Sequence, residues 1–192
     1  MPYYTNFPGE IQLSNVDING QIGYYLLRLI CGKRGKTNLE IICRELEASE
    51  FELALAVRIT VFVDEQHVPA EEEHDELDAV AVHFGAFHEG ALIGTGRVVA
   101  MGTTAKIGRV AVLPAYRRQK VGSRLVHAML RWARNCGLKE AILGAQLQAI
   151  GFYERLGFVP EGGVFDDAGI PHRLMRRSLI HEEEWECGKP LS

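Results

Sequence analysis

Residues 115–133, AYRRQKVGSRLVHAMLRWA, set Arg117, Arg118 and Lys120 directly before a run in which Val121, Leu125, Val126, Met129, Leu130 and Ala133 recur at helical spacing. The first N–H groups of a helix have no intrahelical partner, and the aligned peptide dipoles put about half a positive charge there. Acidic side chains normally occupy that end, so three cations are unfavourable unless an external anion neutralises them. A phosphate group would answer both the charge and the free N–H groups, and Gly122, lacking Cβ, leaves the backbone open to close approach. The competing reading is a solvated basic turn; the location between a strand ended by Pro114 and a well-marked helix favours the phosphate site. Other phosphate cradles fail on spacing. No G-x-x-x-x-G-K-[ST] occurs, and GTGRVV from Gly94 lacks the third glycine of a dinucleotide fingerprint, so ATP and NAD are not expected ligands.

The elements that must carry this turn can be read on either side of it. NLEIICREL reads as a strand, and Ser49 with Glu52 as a capping box that starts a helix through FELALAVRITVFV. The polar stretch DEQHVPAEEEHDELD reads as a loop. AVAVHFGAFHEG, ALIGTGRVVA and AKIGRVAVL follow as strands of an antiparallel meander, with HEG as a hairpin turn. Beyond the basic turn come the helix, stopped at Gly137, the strand EAILGAQL, the short helix QAIGFYERLG, and the strands FVPEGG and HRLMRRSL around the turn DDAG. The expected fold is mixed α/β, a mostly antiparallel central sheet flanked by helices. Residues 38–180 form the expected domain; 1–37, ending in the glycine-punctuated CGKRGKTN, read as an appendage or linker, and 181–192 as a tail.

Composition narrows the partners. With 192 residues, 47% hydrophobic, the chain holds enough apolar mass for one core. A net charge of −4 argues against a protein that coats nucleic acid, which needs a broad excess of Lys and Arg. The longest apolar stretches, Tyr24–Cys31 and Leu53–Val63, are broken by Arg28 and Arg58 and are too short to span a bilayer, so no membrane partner is expected. The N-terminus has no basic region followed by an apolar one, as a secretory signal would. Cys31, Cys43, Cys136 and Cys187 lie far apart without C-x-x-C spacing, which fits a reducing cytoplasm. His67, His74, His83 and His88 follow no zinc pattern, so no metal is expected.

On these residues the chain resembles the GCN5-related N-acetyltransferase (GNAT) family, in which strand, R-x-x-G-x-G turn and helix bind the pyrophosphate of acetyl-coenzyme A. Here the turn reads Arg117-Arg118-Gln119-Lys120-Val121-Gly122, with Lys120 where the first glycine usually stands. QLQAIGFYERLGF is similar to the later N-x-x-A-x-x-x-Y-E-x-x-G-F signature, with Gln146 for Asn. VFVDEQ, IGRV, RRQKVG, LGAQ, FYERLGF and GIPH together resemble the ElaA-type branch. The resemblance implies acetyl-CoA as cosubstrate, with Val110, Ala111 and Val112 on a splayed strand pairing the pantetheine amides. It puts the pyrophosphate on Arg117 to Ser123, with Gln146, Ala149, Phe152 and Tyr153 completing the cofactor side.

It further implies transfer of the acetyl group to a primary amine of a small molecule or peptide by direct attack, with Tyr153 as general acid to the departing thiolate; a phenol keeps its proton at neutral pH. Spacing alone favours a core aromatic beside Phe152 and Phe158; the resemblance is what favours the catalytic role. Many relatives carry a Glu on the fourth strand as base, but Gly108 stands near that place. A water chain, Asp64, Glu65 or His172 are the candidates, imidazole being the side chain whose ordinary ionisation lies nearest neutrality. The resemblance also places Glu65 and Gln66 near the acceptor. The acidic run EEEHDELD, residues 71–78, reads as a solvated loop that could steer cationic amines. A homodimer is compatible with the resemblance, and a silent acyl-CoA-binding sensor is the alternative to an enzyme.

Overall fold

In the computed structural model, which describes residues 40–180, the alternating apolar pattern resolves into seven strands and four α-helices. The expected appendage and tail lie outside the described residues. The strands are β1 (Ile42–Glu45), β2 (Val82–His88), β3 (Ala91–Met101), β4 (Thr104–Val112), β5 (Glu140–Gln146), β6 (Val159–Asp167) and β7 (Ile170–Ser178). The helices are α1 (Phe51–Arg58), α2 (Ala70–Glu73), α3 (Val121–Asn135) and α4 (Ile150–Glu154). One sheet runs in the order β1-β2-β3-β4-β5-β7-β6, antiparallel throughout except where β5 lies parallel to β4.

β2, β3 and β4 form the expected meander, with β1 added along β2, and Glu89 and Gly90, with φ of 49° and 80°, close the β2–β3 hairpin in the left-handed conformation that a two-residue turn requires. The β4–β5 connection is a crossover through α3, whose six predicted apolar positions are all buried. That helix ends as its residues dictate: Gly137 takes φ 75°, and the Leu138 N–H donates to the Ala133 carbonyl at 3.0 Å. Met129 packs directly over Gly96, where a Cβ would fall 2.9 Å from the Met129 Cε and displace the end of that side chain.

Two apolar layers sandwich the sheet. On one side Leu125 and Met129 of α3, Tyr153 of α4 and Phe158 just after it pack against Ile93, Ile107, Leu143 and Met175. On the other, α1 and its extension pack Ala54, Val57 and Val61 against Leu92, Ala111 and Leu113.

Three local expectations change. The helix start is set by Glu47 and Glu50, not Ser49 and Glu52: a 3-10 turn (Ala48–Glu50) precedes α1, and the Glu50 carboxylate accepts the Glu47 N–H at 2.9 Å. After Arg58 the helix continues as a seven-residue π-helical stretch, Ile59–Glu65. Glycines 162 and 163, read as the end of a strand, are instead an insertion within β6, where the pairing with β7 skips between Glu161 and Val164.

Candidate active site

β4 is where the sheet opens. Its parallel pairing with β5 covers only Thr104–Lys106 against Glu140–Ile142 and then ceases, so Ile107–Val112 have no strand partner on that side among the described residues. On the β3 side, Thr95 pairs with Ala111 and Arg97 with Gly108, which inserts one extra β4 residue opposite Gly96. The bulge carries Arg109, whose φ of 52° is left-handed. Val110, Ala111 and Val112 therefore sit on a kinked strand that is paired with β3 but open on the β5 side, and that leads straight into the basic turn.

That turn is built from alternating backbone conformations. Arg118 and Lys120 both take φ 62° and Lys120 is the N-cap of α3, with no side-chain cap to its first N–H groups. A glycine would adopt the Lys120 conformation freely, whereas a residue with Cβ pays about 1–2 kcal/mol, which explains the usual glycine of the motif. A Cβ on Gly122 would lie 3.4 Å from the Phe152 ring and 3.8 Å from Val112 Cγ2, with nothing closer. Internal packing thus does not demand glycine there. Val121 is buried, Ser123 is half-buried, and Arg118, Gln119 and Lys120 are exposed; Gln119 donates to the Ala115 carbonyl at 2.9 Å.

Arg117 is engaged otherwise than its place in the motif suggests. Its guanidinium donates to both Glu65 carboxylate oxygens at 2.6 Å each, and its Nε donates to the Val112 carbonyl at 2.9 Å. The hydrogen bonds from Arg117 hold the Glu65 carboxyl below the usual range. Glu65, named above as a candidate base, is here the ion-pair partner of Arg117, and a carboxylate stabilised by two N–H bonds is a weaker proton acceptor. Among the described residues, Arg118 and Lys120 face no carboxylate, which leaves them as the available cations of the turn.

Tyr153, on α4, is 9% exposed and packs edge-on against Phe152 (4.9 Å between centroids) and Phe158 (5.8 Å). Burial pushes its phenol up to about 12. Ala149 and Phe152 are partly buried against the same core. On the opposite face of the sheet, Gln146 pairs in register with His172 of β7, and its side chain bridges Gln66 (2.7 Å) and Gln148 (2.8 Å). Gln146 thus lines the α1 side with Gln66 and not the α3–α4 side with Tyr153. His172 is 9% exposed, stacks on Phe165, and holds its Nδ1 2.8 Å from the Ile170 carbonyl. A carbonyl only accepts, so Nδ1 carries a proton, and in the neutral ring the lone pair is then on Nε2.

The acidic run is not a solvated loop. Arg58 of α1 donates to Glu73 (2.5 Å), to the Glu73 carbonyl and to both Asp78 oxygens (2.8 and 3.1 Å). Arg97 of β3 holds Asp75 and Asp78 at 2.6 Å. Arg109 reaches the Glu72 carbonyl at 2.7 Å and Asp75 at 3.2 Å. Three arginines and three carboxylates form a neutral cluster in which Arg58, Glu73 and Asp78 are buried. Burial acts to raise the Asp78 carboxyl, but the Arg58 and Arg97 hydrogen bonds prevail and hold it well below the carboxylate range; at Glu73 burial prevails and raises it. The signal was Arg58 and Arg97 standing inside apolar runs, since a charge there needs a buried partner.

These features coincide with known proteins. The model of the GNAT acetyltransferase family matches residues 42–158. The chain belongs to the GNAT acetyltransferase family. It is similar to YyaT of Bacillus subtilis, 36% identical over 145 residues, which are 74% of this chain and 96% of that protein. It is 33% identical to Escherichia coli ElaA over 141 residues, 71% of this chain and 92% of that one; the ElaA crystal structure superposes with a TM-score of 0.61 over 72% of this chain and 99% of ElaA. A Pseudomonas aeruginosa acyl-CoA N-acyltransferase gives a TM-score of 0.61 at 30% identity, covering 72% of this chain and 99% of that one. The chain is of the ElaA type within the GNAT family, and family and fold support an acyl-CoA-dependent acyltransferase with acetyl-CoA as cosubstrate.

Proposed function

We propose that the protein transfers the acetyl group of acetyl-CoA to a primary amine of a small molecule or peptide by direct attack. One observation carries the reading most: β4 leaves β5 after Lys106, so an unpaired strand edge runs into an uncapped helix start with free cations. Apart from the Val112 carbonyl, which Arg117 binds, the N–H and C=O groups of Val110–Val112 that face away from β3 must find partners, and the pantetheine amides supply them. The N–H groups of Lys120–Ser123, with Arg118 and Lys120, supply donors and charge for a diphosphate. Arg117 serves by bracing the turn against Glu65, not by touching phosphate.

The sheet divides the proton work. Tyr153 stands on the α3–α4 side with its proton firmly held, and donates it to the thiolate sulfur as the C–S bond breaks. His172 stands on the α1 side with Nε2 available, and accepts the proton released by the amine, directly or through water. Gln66, Gln146 and Gln148 line the same side and orient the acceptor through their amides.

The test is coenzyme A release with an amine panel, for wild type and Tyr153→Phe. Turnover in wild type, lost in the variant with acetyl-CoA binding intact, supports the assignment; equal turnover removes Tyr153 from the acid role. Binding without turnover toward any amine would favour a silent acyl-CoA sensor.

A further inference from the structure

Arg109 occupies the crest of the β4 bulge with a φ of 52°, a conformation that a side chain with Cβ rarely adopts. Something outside the strand must hold it there. Its guanidinium donates to the Glu72 carbonyl (2.7 Å), the Glu73 carbonyl (3.3 Å) and Asp75 Oδ2 (3.2 Å), and its Nε stands 3.5 Å from Glu73 Oε1. Those acceptors are themselves immobilised. Arg58 binds Glu73 and Asp78 from α1, and Arg97 binds Asp75 and Asp78 from β3. The segment 72–78 is thereby fastened to α1, β3 and β4 by one charge-balanced cluster, with Arg109 as its link to the bulge. The next residue, Val110, begins the segment of open edge proposed to pair with the pantetheine amides.

We propose that Arg109 is a positioning residue: by tying the β4 bulge to the acidic segment 72–78, it fixes the backbone at Gly108–Val110 in the geometry that stabilises the developing oxyanion. The inference rests on the acetyl-transfer reading. It assigns the acidic run a part in catalysis that needs no contact with the amine, since an N–H donor aimed at the oxyanion is effective only while held rigidly. Glu73, Asp75 and Asp78 act through Arg109.

Arg109→Gly separates the tie from the fold, because glycine takes the left-handed φ without strain and only the side chain is lost. In the wild type, backbone 15N order parameters at 108–110 should stand near the rigid value of about 0.85; in Arg109→Gly they should fall toward about 0.6, with α3 unchanged. For acetyl transfer, kcat should drop at least about tenfold while KM for the amine and Kd for coenzyme A stay within about threefold. Arg109→Lys, which restores the charge without the fork, should remain nearer the glycine variant than wild type, and Asp75→Asn should fall between. Order parameters that stay rigid in Arg109→Gly overturn the tie, whether or not the wild type turns over. A loosened bulge with unchanged kcat, or a kcat loss matched by equal loss of coenzyme A affinity, overturns the positioning role. A wild type that binds coenzyme A but acetylates no amine counts against the reaction and against the oxyanion role built on it; the relaxation measurement still decides the tie.

Discussion

Asp78→Asn should be among the most damaging conservative changes in this protein. The Asp78 carboxylate is 2% exposed and accepts from Arg58 at 2.8 and 3.1 Å, from Arg97 at 2.6 Å and from the Asp75 N–H at 3.3 Å. Asparagine keeps the volume but turns one acceptor into a donor facing a guanidinium, and leaves three buried or half-buried arginines opposite two carboxylates. Breaking a buried pair by neutralising one partner costs about 3–5 kcal/mol. For a chain of this size about 2–4 °C accompanies each kcal/mol, so the melting temperature should fall by about 6–20 °C. Thermal and urea unfolding followed by circular dichroism measure both quantities. Dependence on pH supplies an internal control. Because the folded Asp78 carboxyl ionises below its unfolded counterpart, its contribution is complete above about pH 4 and is lost as the pH falls. The gap between wild type and variant should therefore narrow by about 1.4 kcal/mol per pH unit below about pH 4. A loss under about 1 kcal/mol at pH 7, or a gap independent of pH, would refute the reasoning.

Tyr153→Phe should lower kcat by about 10²- to 10⁴-fold without changing coenzyme A affinity. Since burial raises the folded phenol to about 12, its stabilising effect is complete below about pH 10 and lost as the pH climbs through 12, so the phenylalanine variant should lack that alkaline decline in urea titrations. Arg118→Ala with Lys120→Ala should weaken coenzyme A binding more than Arg117→Ala does, because Arg117 is already spent on Glu65; calorimetry at 50 mM and 500 mM salt, arbitrary points either side of strong screening, should show the double variant's deficit shrinking at the higher concentration. Lys120→Gly relieves the left-handed N-cap and should raise stability by up to about 1 kcal/mol, read from the urea midpoint.

Where a local pattern governs, the sequence was enough. The α3 stripe, its Gly137 stop and the hairpin turns at 89–90 and 168–169 follow from spacing and from the glycines at 90, 137 and 169. What escaped depends on partners distant in sequence. The acidic segment looks solvated until Arg58 and Arg97 are seen to face it, 15 to 22 positions away. Glu65 and Arg117 are 52 positions apart, so neither residue's neighbours announce the ion pair that they form. The loss of β4–β5 pairing was implied only by family resemblance, because an apolar strand reads alike whether its edge is paired or open. The π-helical stretch has the same apolar composition as a continued α-helix, and nothing in ITVFVDE distinguishes the two.

Amide-resolved NMR titration with coenzyme A tests the proposed cofactor seat most directly. Saturable shifts should concentrate at Val110–Val112 and Lys120–Ser123, on the open strand edge and the first turn of α3. Saturable binding that leaves both segments unmoved and perturbs another face would contradict the site, and with it the acetyl-transfer mechanism built on it.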